Sequence, residues 1–131
     1  MSDLRFVTVL SGIPVSDIGT SIAWYQGFFD RVPDIRPLED VAEWTLNAGA
    51  TLQLVERAST AGSGITRLEV ENVNDAVVLL AQRGFTPTSR GEYSGVIRFA
   101  DFSDPDGNDM SIVEALFDVP RFRAEDQANG S

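Results

Sequence analysis

The stretch DFSDPDGNDMSIVE, residues 101–114, decides the fold of this chain. Its centre, DPDGN, is a turn signal. Pro105 presets the φ of a turn position, Gly107 tolerates a positive φ, and Asp104 and Asn108 can hydrogen-bond the local backbone. The turn is therefore predicted to be structural, as a strand reversal.

The residues after the turn alternate in polarity. Met110 and Ile112 are apolar and are predicted to face a core, which leaves Ser111 and Val113 on the opposite face of a strand. The stretch therefore predicts a half-buried closing strand with Ser111 on its second face.

Over the rest of the chain, the sequence pattern predicts the same order of elements twice: a strand, a helix and three strands. A helix is predicted after Ser16 or Asp17, and a second one after Asn72 or Asn74, with Gly84 as its stop. The predicted strands are Phe6–Gly12, Ile35–Leu38, Ala42–Asn47, Thr51–Glu56, Ile65–Val70, Phe85–Ser89, Gly95–Phe102 and Asp109–Glu114.

The two halves resemble each other. Moving the second half back by 58 positions, which brings Ser111 onto Gln53, places GNDMSIVE over GATLQLVE. This internal repeat predicts two equivalent modules in one domain. The predicted units are a first module at 1–57, a linker at 58–64, a second module at 65–117 and a polar tail at 118–131, expected to be flexible.

Three segments together resemble the vicinal oxygen chelate superfamily, which includes glyoxalases, bleomycin-resistance proteins and dioxygenases. They are IPVSDIGTSIAWYQGFF, LEVENVNDAVVLLAQRGF and FSDPDGNDMSIVE, and the resemblance covers about residues 4–116. It implies an α+β fold of two βαβββ modules that form a cupped mixed sheet. Helices would cover the convex side and the ligand site would lie in the cup.

Composition excludes several kinds of site. The 131 residues contain no cysteine and no histidine, so thiolate chemistry and the commonest metal ligand and general base are absent. The net charge of −10 argues against a nucleic-acid partner. No apolar run reaches about 18 residues and the N-terminus is not a signal peptide, so no membrane partner and a cytoplasmic location are expected.

The metal-dependent members of the superfamily carry four ligands in the cup. By the resemblance, these positions fall on Leu10, Gln53, Ile65 and Ser111, and the register of Leu10 is open by a step. Leucine and isoleucine cannot bind a metal, while glutamine and serine are weak neutral donors. No metal and no cofactor are therefore predicted.

The metal-free branch of the superfamily includes drug-binding proteins that are dimers. The resemblance thus implies a homodimer that sequesters a cationic or aromatic small molecule. Trp44 is open between lining the cup and packing in the core, Arg98 between the cup and solvent, and Tyr93 is placed in a mobile loop at the mouth. The predicted ligand-binding residues are Trp44, Gln53, Arg67, Glu69, Tyr93, Arg98 and Ser111.

Two enzymatic alternatives stay open. One is a metal-independent isomerase, lyase or cyclase, in which Glu69, with a pKa raised by burial, is a weak candidate for the general base. Gln53 and Ser111 would then donate hydrogen bonds to a developing oxyanion. The other is a metal enzyme with unusual oxygen ligands.

Overall fold

The computed structural model describes residues 4–118, which form two four-stranded mixed sheets with one helix in each half. The helices are α1 (Ile18–Phe29) and α2 (Val73–Gln82), and a short 3-10 helix spans Ala58–Thr60. The strands are β1 (Val9–Val15), β2 (Ile35–Leu38), β3 (Val41–Asn47), β4 (Ala50–Glu56), β5 (Ile65–Glu69), β6 (Ser89–Tyr93), β7 (Ile97–Ser103) and β8 (Asp109–Ala115).

The two sheets have the same topology. Their strand orders are β1-β4-β3-β2 and β5-β8-β7-β6. In each sheet the first strand pairs in parallel with the last, and the remaining pairs are antiparallel. The predicted α+β fold of two βαβββ halves is therefore confirmed.

Two predicted strands differ from the structure by more than two residues at an end. β1 begins at Val9 instead of Phe6 and runs on to Val15. Phe85–Ser89 is not a strand, because Phe85 turns its ring toward Trp24 and Phe28 and becomes part of the aromatic core. The strand of this region is instead β6, which lies in a stretch that the sequence pattern assigned to a loop.

Both helices begin in the same way. Asp17 caps α1 through the backbone N–H of Thr20, and the Glu56 carboxylate at the end of β4 accepts the N–H of Ile18 at 2.9 Å. Acceptors at a helix start satisfy backbone donors that have no partner within the helix.

The second module repeats this arrangement with related residues. Asn72 caps α2, and Glu114 at the end of β8 accepts the N–H of Val73 at 3.0 Å. Glu56 and Glu114 are related by the repeat (114 − 56 = 58). The internal repeat read from the sequence therefore extends to the hydrogen bonds that start each helix.

One core joins the two halves. It lies between the sheets and the helices and includes the fully buried Tyr25 and Trp44. The ring of Phe28 in α1 contacts that of Phe102 in β7, with centroids 5.3 Å apart, so the first helix packs on the second sheet. The edge strands β1 and β5 meet where Ser11 and Thr66 share a hydrogen bond of 3.0 Å.

The DPDGN turn is tied to the first module. Asp104, which is 5% exposed, accepts two backbone N–H groups of its own turn through Oδ1. Its Oδ2 accepts the hydroxyl of Tyr25 at 2.8 Å and the side-chain amide of Asn108 at 2.8 Å. Four donors thus compensate the burial of this carboxylate.

Asn108 is fully buried and links three parts of the chain. Its Nδ2 donates to the carbonyl of Pro14 in β1, and its Oδ1 accepts the N–H of Gly64 just before β5. Asp106 of the same turn accepts the hydroxyl and the backbone N–H of Ser16. The turn is structural, as predicted, and it also fastens the second module to the first.

None of the helices among residues 4–118 is long and apolar enough to cross a membrane.

We predict that Asn108→Ala lowers the free energy of unfolding by roughly 2–4 kcal/mol, because Pro14 and Gly64 each lose a buried hydrogen-bond partner. Urea denaturation followed by circular dichroism measures the change. Asp109→Ala is the control, because Asp109 is the next residue along the chain and its side chain is exposed. A loss below about 1 kcal/mol for Asn108→Ala would contradict the role of the turn.

We predict a loss of stability at alkaline pH that depends on Tyr25. Burial raises the pKa of Tyr25 far above its usual value of 10.0, and the neighbouring charge of Asp104 adds to this effect. The unfolded chain then releases the tyrosine proton above pH 10 while the folded chain keeps it. Stability is therefore full below pH 10 and falls above it by up to about 1.4 kcal/mol per pH unit.

The chain suits this measurement because it has two tyrosines and its basic residues are all arginine. Unfolding is measured between pH 8 and about 12. Tyr25→Phe is expected to be less stable at neutral pH and to have a flatter alkaline profile. Tyr93→Phe, at an exposed site, should keep the steep profile. Equal slopes in the two variants would disprove the assignment.

Candidate functional site

The sheet faces opposite the helices, called here the cup face, carry the candidate site residues. On β4, Leu52 and Leu54 are buried in the core, so Gln53 between them lies on the cup face. On β8, Met110 and Ile112 are buried in the core, so Ser111 lies on the cup face, as the alternation predicted.

A cavity of about 200 Å³, called here the second-module cavity, opens on the cup face of β5, β8, β7 and β6. It brings together three of the predicted residues, Arg67, Tyr93 and Ser111. Its full lining is Arg67, Tyr93, Ile97, Phe99, Asp101, Ser111 and Val113.

Ser111 is hydrogen-bonded within this cavity. Its hydroxyl donates to Asp101 Oδ1 at 2.6 Å, a short distance that is typical of a charge-assisted bond. Asp101 and Ser111 are direct partners in the β7–β8 register. The Ser111 hydroxyl proton is therefore engaged by Asp101, which itself lines the cavity.

A second cavity of about 300 Å³ lies on the first sheet and includes Gln53 and Arg57 in its lining. The Gln53 amide donates to Glu43 at 2.8 Å, and these two residues are partners in the β3–β4 register. Glu43 and Asp101 are related by the repeat (101 − 43 = 58). Each half of the cup thus holds one carboxylate bonded to the neutral residue beside it.

A third cavity of about 230 Å³ lies where the modules meet. It is lined by both halves, including Leu46 and Thr51 from the first and Ile65 and Leu68 from the second. Leu46, Leu52 and Leu68 belong to the core or pack against it, so this cavity lies largely on the core-facing side of the sheets and does not extend the cup face.

The residues at the four ligand-equivalent positions do not fit a divalent metal. Leu10 and Ile65 are exposed hydrocarbon side chains. Gln53 and Ser111 offer only neutral oxygen atoms as metal ligands, and their amide N–H and hydroxyl donate hydrogen bonds to Glu43 and Asp101. No group of three or more histidine, cysteine, aspartate or glutamate side chains that could hold a metal occurs within residues 4–118.

The structure corrects the placement of Trp44. Its side chain is 0% exposed, lies on the same face of β3 as buried Ala42, and donates its indole N–H to the carbonyl of Arg31 at 2.9 Å. Trp44 is a core residue and does not line the cup. Flanking polar residues suggested otherwise, but alternation along β3 places it with the core.

Arg98 is also corrected, because it lies on the face of β7 that carries buried Ala100 and Phe102. It pairs with Glu92 at 2.9 Å and with Glu114 at 3.3 Å. The hydrogen bond with Glu92 raises the pKa of Arg98, and Glu114 adds to this effect. Arg98 thus pairs with Glu114, whose carboxylate accepts the first backbone N–H of α2. It does not line the second-module cavity.

Glu69 and Tyr93 are exposed. Glu69 lies on the cup face of β5 without the burial that its proposed role as general base requires. Tyr93 ends strand β6 instead of lying in a loop, and its ring stacks on Phe99 with centroids 5.9 Å apart. Tyr93 therefore forms one wall of the cavity with Phe99.

Sequence reasoning missed Phe99, Asp101 and Glu43. The sequence pattern leaves the face of β7 open, and the polar residue that it predicts for the site on that strand is Arg98. The repeat could have found the acids, because the shift that relates Gln53 to Ser111 also relates Glu43 to Asp101.

Known structures share this fold over most of the chain. The glyoxalase/bleomycin resistance protein from Catenulispora acidiphila has a TM-score of 0.78 and 29% identity, and the match covers 84% of this chain and 99% of that one. TnmS3, an antibiotic binding protein from Streptomyces sp. CB03234, has a TM-score of 0.70 and 24% identity, over 88% and 99% of the two chains.

Lactoylglutathione lyase from Agrobacterium tumefaciens has a TM-score of 0.69 and 12% identity, covering 87% of this chain and 97% of that one. No family model and no curated protein matches the sequence. The relationship is therefore seen in the fold, and the neighbours include glyoxalase/bleomycin resistance/dioxygenase proteins.

Proposed function

The chain has the fold of the vicinal oxygen chelate superfamily, and we propose that it is a metal-free protein that binds a small aromatic or cationic molecule in its cup. The observation that carries this proposal is the second-module cavity, where the Tyr93–Phe99 ring pair, an arginine and a hydrogen-bonded carboxylate converge. Apolar walls with few polar groups are typical of small-molecule sites.

The chemistry of the central positions supports binding over metal catalysis. Leu10 and Ile65 make the middle of the cup apolar, while Gln53 and Ser111 are held by Glu43 and Asp101. Metal-activated water or a polarised carbonyl needs open coordination by anionic or imidazole ligands. TnmS3 is an antibiotic binding protein on the same fold, so the fold admits this role.

The ligand class follows from the cavity and the charge. Tyr93 and Phe99 offer a stacking surface for an aromatic ring. The net charge of −10 makes the protein surface more favourable to a cation than to an anion. We propose in addition that the protein is cytoplasmic and sequesters its ligand without changing it.

We include in the proposal a homodimer. The N-terminal side chains Leu4, Phe6 and Val7 are 81%, 84% and 90% exposed in the single chain. Adjacent apolar side chains with such exposure are typical of a protein contact. Sedimentation velocity would test this part, and a monomer at micromolar concentration would contradict it.

We predict that thermal unfolding shifts upward with an organic ligand and not with metals. The protein is scanned with a chelator, with divalent metals, and with a panel of aromatic and cationic antibiotics and metabolites. A ligand at 100 times its dissociation constant stabilises the fold by about 2.7 kcal/mol, which is easily measured.

Two results would change the proposal. An upward shift of the unfolding midpoint with a divalent metal, reversed by the chelator, would favour the metal enzyme with oxygen ligands. A bound compound recovered with altered mass would favour the metal-independent isomerase, lyase or cyclase. Recovery of the compound unchanged supports sequestration.

A further inference from the structure

The second-module cavity contains an arginine whose guanidinium has no partner in the part of the chain that the structure describes. Arg67 lies on β5 opposite Ser111 on β8, and Ser111 lies opposite Asp101 on β7. These three side chains form a row across the cup face, with the guanidinium at one end and the carboxylate at the other. Among residues 4–118, the guanidinium of Arg67 forms no hydrogen bond or ion pair.

Arg57, which lines the cavity of the first sheet, likewise has no guanidinium partner among residues 4–118, but five other arginines differ from Arg67 in this respect. Their guanidinium groups donate to named acceptors, and the set is Arg31, Arg36, Arg83, Arg90 and Arg98. A planar guanidinium with several donors in a fixed fork suits a carboxylate or another planar oxyanion. The unused donors of Arg67 point to a ligand that supplies the acceptor.

The aromatic wall of the same cavity is held in place by the sheet. Phe99 lies opposite Gly91 on β6, and a Cβ at Gly91 would approach the Phe99 ring to 3.0 Å. The ring thus lies across a glycine and stacks on Tyr93 with an interplanar angle of 28°. Because Phe99 and Tyr93 are already held in place, a flat aromatic ligand can stack on them without rearrangement of the cavity wall.

The acidic surface does not prevent an anion from binding here. Screening at physiological salt limits exposed charges to about 8 Å, so local groups decide the preference. The charged groups that line the cavity are Arg67 and Asp101, and Asp101 already accepts the Ser111 hydroxyl. Glu69 lies two positions along β5, outside the lining, and adds a negative charge nearby.

We propose that the second-module cavity binds an aromatic acid, with the ring against Phe99 and Tyr93 and the carboxylate on the guanidinium of Arg67. This inference rests on the proposed function and names the ligand class of the same site. It replaces the cationic class with an anionic one for this cavity.

The test uses three matched naphthalene derivatives that carry a carboxylate, a carboxamide or a methylammonium group. Affinities for the whole chain are measured by isothermal titration calorimetry. The carboxylate is expected to bind about tenfold or more tighter than the carboxamide, and the methylammonium compound weakest. Arg67→Gln should remove the preference for the carboxylate.

Matched variants separate the causes. Arg90→Gln makes the same charge change on β6, where Arg90 bonds Asn74 outside the cavity, and should leave the preference intact. Phe99→Leu should weaken all three probes. Arg67→Gln is expected to keep the unfolding midpoint of the unchanged chain because Arg67 is exposed.

Several outcomes would overturn the inference. Tightest binding of the methylammonium probe, or equal loss of carboxylate binding in Arg67→Gln and Arg90→Gln, would refute the role of Arg67. If none of the probes binds while the thermal panel yields another ligand, the aromatic acid is wrong and the binding function stands. If no compound in the thermal panel raises the unfolding midpoint either, both the aromatic-acid inference and the proposed binding function are wrong.

Discussion

The structure depends on one buried carboxylate. Asp104 accepts four hydrogen bonds, two from its own turn, one from Asn108 and one from Tyr25 of the first helix. No cation pairs with it in the part of the chain that the structure describes, so the four donors must compensate its burial. The same group thereby shapes the turn before β8 and fixes α1 against the second sheet. Both the closing strand and the joint between the modules follow from it.

With the modules fixed in this way, polar groups divide into two sets. Glu56 and Glu114 face away from the cup and start the helices, while Glu43 and Asp101 face into it and bind the neutral side chains beside them. The first set keeps the fold, so the cup face can change its chemistry without disturbing the helices. The cup face can therefore carry Leu10, Gln53, Ile65 and Ser111 at the four positions that the superfamily resemblance assigns to metal ligands.

Much of the fold could be predicted from the sequence because local signals agreed. The DPDGN turn, the capping residues Asp17 and Asn72, and the strand alternation each had a physical reason that tertiary contacts did not override. The site was harder, because a pattern gives the face of a residue but not its partner. Trp44 and Arg98 were misplaced where the face of one strand was uncertain, and β6 was missed because its polar residues lie at a sheet edge.

The links between the modules span long distances along the chain. Asn108 contacts Pro14 across 94 residues, and Asp106 contacts Ser16 across 90. During synthesis, the first sheet therefore emerges from the ribosome well before the turn that fixes it. Contacts of such sequence separation form late and slow the folding of a domain. The first module must wait for nearly the whole chain, and in this interval a chaperone or another nascent chain could reach its uncovered apolar surface.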